Sequence, residues 1–196
     1  MRIPMPAAVL AGGASRRMGV PKASLPWGAT SLAAYQTERL AGRFEEAWLV
    51  VREAPSFPTG PARLLYDRDP ERSALSGLVR ALEEAEDRVF VLAVDLPLLT
   101  QTVIDEICRR SLASSAPAVL PRTAAGFEPL AGVWRRAALE AASARASAGD
   151  RSLRSLAEAV GAESVHESAW RPLDPSGNAF ANMNTIADWA LARERA

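Results

Sequence analysis

Between Ala8 and Pro26 the chain reads AVLAGGASRRMGVPKASLP, a short apolar run that breaks into Gly12 and Gly13, then Arg16 and Arg17, then Gly19 and Lys22. Glycines allow several backbone N–H groups to converge on one anion, and the three cations add charge, so the chemistry this loop suits is the holding of phosphate. Lys22 is the only lysine; the other 22 of the 23 basic residues are arginine. A compact ammonium on a flexible stem does what a planar guanidinium cannot, which makes the exception informative. Two familiar phosphate loops do not fit. The P-loop needs Gly-Lys-Ser/Thr and the dinucleotide fingerprint needs G-x-G-x-x-G, whereas here Pro21 precedes Lys22 and the first two glycines are adjacent. A carboxylate, Asp95, ends the apolar run VFVLAV, and two amides, Asn182 and Asn184, stand in FANMNT. In an extended segment those amides share one side, where they donate and accept together.

These groups need a frame, and the order of strand, loop and helix predicts an α/β fold with an open, mostly parallel sheet and helices on both faces. Ala7 to Leu10 reads as the first strand, followed after the glycine loop by a helix capped at Thr30 or Ser31 and stopped near Gly42. Strands are expected at Ala47 to Val51 and Arg63 to Tyr66, a helix at Ala74 to Glu86 with Gly77 inside it, and a central strand at Val89 to Val94, apolar on both faces. In such sheets ligands bind beyond the carboxyl ends of the strands, which is where Asp95 falls. A helix capped at Thr100 or Thr102 to about Leu112 comes next, then strands at Ala118 to Leu120 and Leu130 to Trp134. Helices are expected at Arg136 to Ala148, Ser152 to Val160 and from Thr185 onward. Nothing marks a boundary, so one domain over 1–196 is the expectation.

Composition narrows the classes. Apolar residues make up 48% and charged residues 23%, as in ordinary globular proteins, and the 23 acidic residues cancel the 23 basic ones. A balanced charge argues against broad nucleic-acid binding. A single cysteine, Cys108, excludes an internal disulfide and a thiolate zinc cluster, and its helical neighbours make it a buried core thiol. The lone histidine, His166, has no partner for a relay or metal cluster and reads as structural or solvated. The five tryptophans are scattered and read as packing. The N-terminal apolar run is short for a secretion signal, and no stretch approaches the ~20 apolar residues of a membrane span, so a cytoplasmic protein with no membrane or nucleic-acid partner is expected.

The pattern LAGG-x-S-x-RMG-x-x-K, carried by Gly12, Gly13, Ser15, Arg17, Met18, Gly19 and Lys22, resembles the molybdenum cofactor guanylyltransferases within the wider sugar-nucleotidyltransferase-like superfamily. The resemblance continues in order: Asp67, then LSGL, then Asp95 in AVDLP, Glu128 to Gly132, Gly149 to Leu153 in GDRSL, and NMNTIAD at the end. It implies a Rossmann-like nucleotidyltransferase fold of three α/β/α layers and transfer of GMP from GTP to molybdopterin or its molybdenum-loaded form. It further implies Mg²⁺ at Asp95, charge stabilisation by Lys22 with Arg17, backbone cradling by Leu10, Ala11, Gly12 and Gly13, and acceptor binding by Asn182 and Asn184. Transient contact with other proteins of the pathway or with recipient molybdoenzymes is implied as well.

The chain departs from the family pattern in two places. Ser73-Ala74-Leu75-Ser76-Gly77-Leu78 lacks the Gly-Pro of a GPLAGL-type turn, and Ile186-Ala187 replaces Pro-Glu after the asparagines. Asp67 is either a nucleotide-site carboxylate or a solvated turn residue. Glu128 to Gly132 reads as core, and Gly149 to Leu153 as a helix start capped by Asp150 or Ser152. A cytidylyltransferase, favoured by the Gly-x-Pro-Lys form of the loop, a sugar-phosphate nucleotidyltransferase, and a non-catalytic GTP or molybdopterin carrier are the alternative readings.

Overall fold

Continuous apolar runs form strands buried on both faces, and here they build the middle of one sheet. The computed structural model describes residues 2–12, 19–67, 69 and 73–195; Gly13, Ser15, Arg16, Arg17 and Met18 of the glycine loop lie outside them. In chain order the elements are β1 (Ala7–Leu10), β2 (Pro26–Trp27), β3 (Thr30–Ser31), α1 (Leu32–Ala41), β4 (Ala47–Val51), β5 (Arg63–Tyr66), α2 (Ala74–Glu84), β6 (Arg88–Ala93) and α3 (Gln101–Leu112). There follow β7 (Ala118–Thr123), β8 (Gly126–Phe127), β9 (Ala131–Arg135), α4 (Leu139–Ser147), α5 (Leu153–Ala159), β10 (Glu163–Val165), α6 (Glu167–Trp170) and α7 (Ile186–Arg195).

The sheet order is β10-β7-β9-β6-β1-β4-β5, with β8 on β7 and β2-β3 as a separate hairpin. The pairs β1–β4, β1–β6, β4–β5 and β7–β10 are parallel; β9 runs antiparallel between β6 and β7. Side-chain alternation splits the core in two. Ala7, Val9, Leu49, Phe90 and Leu92 pack with Leu32, Leu40, Val103 and Ile107 of α1 and α3. Ala8, Leu10, Val50, Val89 and Val91 pack with Leu75, Leu78, Leu82, Ala142 and Leu156 of α2, α4 and α5. The expected three-layer α/β/α architecture is therefore present.

Local chemistry resolves the open boundaries. Ser31 caps α1 through Ala34 N–H, Ser73 caps α2, Thr100 caps α3 and Ser152 caps α5. The helix expected from Arg136 to Ala148 opens instead as a 3₁₀ turn, Arg136–Ala138, before α4, because Arg136 donates to the carbonyls of Glu83 and Ala85 and holds the turn against the end of α2. Gly132 belongs to the core as expected: a Cβ there would lie 2.6 Å from Leu120 Cδ2 and 2.9 Å from the Val119 carbonyl oxygen. Among the described residues no helix is long and apolar enough to cross a membrane.

Candidate active site at the carboxyl edge of the sheet

β1, β4 and β6 lie side by side, and the chain leaves each of them toward one cleft. Ala11 N–H donates to the Val50 carbonyl (3.0 Å) and Val94 N–H to the Leu10 carbonyl (3.2 Å), so the exits of these strands are bonded to one another. Lys22 enters from a 3₁₀ turn, Lys22–Ser24, that Gly19 approaches with φ +69°, a conformation glycine adopts without strain. Its ammonium donates to Asp95 Oδ2 at 2.6 Å and to Asn184 Oδ1 at 3.0 Å. Three segments far apart in sequence therefore meet at one cation. The Lys22 and Asp95 side chains keep 16% and 19% of their exposure, so the pair stands at the mouth of the cleft rather than in the core.

Beside the pair is a cavity of about 180 Å³ bounded by Leu10, Ala11, Gly12, Lys22, Asp95 and Asp67, with Val50, Ala93 and Leu130 as apolar walls and Ser73, Ala74 and Gly77 at the start of α2. A wider groove of about 630 Å³ between β5, α2 and α4 shares Asp67 but touches neither Lys22 nor Asp95. The cavity holding both charged groups is the one suited to chemistry. Leu130 faces this cavity, which corrects the purely core reading of the stretch around it. Gly77 has a physical explanation here: a Cβ would meet Leu10 at 3.4 Å, so the protein tolerates one and the cavity gains the space left empty.

Asp67 is a buried, organised carboxylate and not a solvated turn residue; it is 6% exposed. Oδ2 accepts from Ser76 Oγ (2.7 Å) and Oδ1 from Asp69 N–H (2.9 Å). Arg52, which follows β4, lies with Nη1 3.5 Å from Asp67 Oδ2, and a Cβ on Gly12 would touch its Cγ at 3.6 Å. That buried Nη1 has no hydrogen-bond partner among the described residues. Sequence reasoning missed Arg52. The signal available was its position, a charged residue at the carboxyl end of a fully buried strand, as for Asp95.

At the C-terminal segment the expected alternation is present: Met183 is buried while Asn182 and Asn184 are exposed. Met183 N–H donates to the Asp95 carbonyl at 3.2 Å. Thr185 Oγ1 accepts from Asp188 N–H (3.1 Å), and Asp188 Oδ2 accepts from the N–H groups of Asn184 (2.9 Å) and Thr185 (2.8 Å). This reciprocal cap fixes the asparagine segment at the start of α7. The Asn184 N–H first, then the Thr185 hydroxyl and N–H, hold the Asp188 carboxyl below the usual carboxylate range. Trp189 Nε1 donates to the Pro26 carbonyl at 3.1 Å and ties α7 to the hairpin after Lys22.

Other residues stay outside the cleft. His166 is exposed and pairs with Ser164 Oγ at 3.2 Å. Cys108 is buried, and burial pushes its thiol up. Glu128 is raised by burial and accepts from Thr123 Oγ1 at 3.0 Å. Asp150 accepts from Ser152 N–H at 3.0 Å and serves the cap of α5. Trp27, Trp48, Trp134 and Trp170 are buried packing residues, with Arg63 over Trp48 and Arg193 over Trp189.

Over most of its length the chain is similar to known proteins. Residues 7–165 match a family model described as a MobA-like NTP transferase domain; Asn182 and Asn184 lie beyond that span. A probable molybdenum cofactor guanylyltransferase of Mycobacterium avium is 34% identical over 195 residues, covering 96% of this chain and 95% of that protein. One of the same description from Mycobacterium tuberculosis is 33% identical over 191 residues, covering 94% and 91%. Among solved structures, the molybdopterin-guanine dinucleotide biosynthesis protein A of Archaeoglobus fulgidus has a TM-score of 0.84 over 97% of this chain and 98% of that one at 21% identity, a likeness of fold.

Proposed function

The chain belongs to the family of MobA-like NTP transferase domains, and from that premise we propose that it transfers GMP from GTP to the phosphate of molybdopterin, or of its molybdenum-loaded form, releasing pyrophosphate. The observation that carries this reading is the meeting of Lys22, Asp95 and Asn184 beside a cavity walled by the Leu10–Gly12 backbone. One cation and one carboxylate where the chain leaves β1 suit a triphosphate, and the apolar walls with Asp67 among the lining residues suit a purine whose edge donates hydrogen bonds. The choice of guanine rests on the relatives. Competition between GTP and CTP tests it: GTP alone is expected to compete at micromolar concentration, and preference for CTP would move the chain to the cytidylyltransferase reading.

An acceptor phosphate oxygen attacks the α-phosphorus. The new P–O bond forms as the bond to the bridging oxygen breaks, and the electron pair leaves with pyrophosphate. No covalent protein intermediate is required, because alignment and charge stabilisation carry such a step. Lys22, joined to both Asp95 and Asn184, is assigned to the charge that develops on the triphosphate; Arg17 is assigned beside it and Gly13 to the backbone cradle. Mg²⁺ is proposed at Asp95. Among the described residues no three His, Cys, Asp or Glu side chains come together, so a closed protein cage does not fit. A single carboxylate at a cleft mouth does fit a cation that takes its remaining oxygens from phosphates and water, and such an ion supplies neutralisation of phosphate charge. A cytoplasmic setting and transient handover of product to recipient molybdoenzymes belong to the same proposal.

Two variants bear on the substrates. Gly77→Ala places a methyl group in the cavity while improving helix propensity by about 0.5–1 kcal/mol. Its melting temperature is expected to hold or rise while KM for GTP rises about tenfold, in the range of an overpacking penalty; an unchanged KM would put the base elsewhere. Asn182→Ala is expected to raise KM for molybdopterin about tenfold, roughly the loss of one or two hydrogen bonds, with KM for GTP nearly constant. Equal effects on both substrates would remove Asn182 from the acceptor side.

A further inference from the structure

Asp95 sits on a turn beyond the end of β6, where Met183 N–H reaches its carbonyl and one face of α1 supplies side-chain donors to the residues on either side. Arg39 Nη1 donates to the Pro97 carbonyl at 3.0 Å and Nη2 donates to the Leu99 carbonyl. Gln36, three residues earlier and wholly buried, donates Nε2 to the Val94 carbonyl at 3.4 Å. Carbonyls on both sides of Asp95 are thus bonded to side chains that are neighbours on one helix. The turn's own backbone bonds are long, Leu96 N–H to the Ala93 carbonyl at 3.2 Å and Leu99 N–H to the Leu96 carbonyl at 3.4 Å.

The same helix is fixed to the other charged group. Leu32 N–H, at the start of α1, donates to the Leu25 carbonyl at 2.8 Å, and Leu25 N–H returns to the Lys22 carbonyl at 3.1 Å. α1 is therefore bonded to the turn carrying Lys22 at its first residue and to the turn carrying Asp95 through its middle. Among the described residues Arg39 has no carboxylate partner: its fork is spent on two carbonyls of one short stretch, over the Tyr35 ring at 5.8 Å. Burial pulls the guanidinium down from its ordinary value, so keeping it there costs stability that an apolar contact would not. Gln36 carries a similar cost, because its Oε1 is buried without a partner. A planar fork matches two carbonyls at fixed separation in a way a single ammonium does not.

We propose that Arg39, with Gln36 beside it, is a positioning residue that sets the Asp95 carboxylate against Lys22 through the 94–99 turn. The proposal rests on the reading of Asp95 as the carboxylate that works with the metal-bound triphosphate. Catalytic groups must be held to within about 0.5 Å, and a misplacement of about 1 Å costs up to about a hundredfold in rate.

The test compares Arg39→Met, Arg39→Lys, Gln36→Met and Asp95→Asn with the unaltered protein. GTP affinity is measured by calorimetry with Mg²⁺ and again with EDTA, alongside kcat, KM and the melting temperature. For Arg39→Met, affinity in EDTA is expected to stay within about threefold, the gain on adding Mg²⁺ to fall about tenfold, and kcat to fall about tenfold or more. Arg39→Lys is expected to recover part of both. Gln36→Met removes the orphaned oxygen and is expected to hold or raise the melting temperature while losing a smaller share of the Mg²⁺ gain; it carries the test if Arg39→Met does not fold. A full Mg²⁺ gain and normal kcat in Arg39→Met and Gln36→Met, whatever the melting temperature, would reduce the pair to a fold staple and overturn the proposal. An equal loss of affinity in EDTA would overturn it too, by showing distortion of the whole cleft. Asp95→Asn separates the two failures: if it loses the Mg²⁺ gain while the α1 variants keep it, only the positioning proposal falls, and if it keeps the gain, the reading of Asp95 falls first.

Discussion

Asp95→Ala is expected to lower kcat for guanylyl transfer by at least about a hundredfold, the scale on which a single preorganised electrostatic contact acts in a cleft of low dielectric. The carboxylate stands two residues beyond β6, lines the cavity and pairs with Lys22 at 2.6 Å, so its loss removes both the proposed metal oxygen and the partner that orients the ammonium. The fold is expected to survive. Its backbone carbonyl, which accepts from Met183 N–H, is untouched by the substitution. The side chain keeps 19% of its exposure, so the pair contributes about 1 kcal/mol and the melting temperature falls by about 2–4 °C. Single-turnover kinetics with a parallel thermal melt check both halves, and a normal rate would remove Asp95 from the mechanism.

Lys22→Ala is expected to be comparably severe, with kcat down about a hundredfold or more. Lys22→Arg is expected to recover little of it. The ammonium reaches Asp95 and Asn184 from two different segments at 2.6 and 3.0 Å, a geometry for a compact, rotatable donor and not for a rigid fork. The exclusive use of arginine elsewhere makes the second variant the sharper one, since it keeps the charge and changes only its shape. Steady-state kinetics on both variants separate charge from geometry. Near-normal turnover in Lys22→Arg would leave a general positive charge as the whole requirement.

Much of the frame was legible because its strands are buried on both faces. AWLVV and VFVLA are unbroken apolar runs, and caps such as Ser31, Thr100 and Ser152 announce the helices that follow. The direction of β9 was not legible: AGVWR reads alike in either sense, and its antiparallel course depends on the short return through β8, a strand of two residues. The hairpin β2–β3 and the edge strand β10 are likewise too short to show alternation.

The site divides in the same way. Spacing and resemblance named Lys22, Asp67, Asp95 and the two asparagines, but not that one ammonium joins Asp95 to Asn184, residues 73 and 162 positions away from it. Asp67 stood equally as site or turn until Ser76 and Arg52 were seen around it. Arg52, Arg39 and Gln36 belong to no motif, and helical periodicity in YQTERL gives no sign that a guanidinium turns toward carbonyls near residue 97. Gly13 and Arg17 remain proposals of the sequence alone.

The most direct test of the central claim is pyrophosphate release from GTP by the purified protein with Mg²⁺, with and without molybdopterin. Release that requires molybdopterin, matches the dinucleotide product one for one and is lost in Asp95→Ala is the predicted result. Tight binding of both substrates with no pyrophosphate released would contradict it and leave a carrier in place of a transferase.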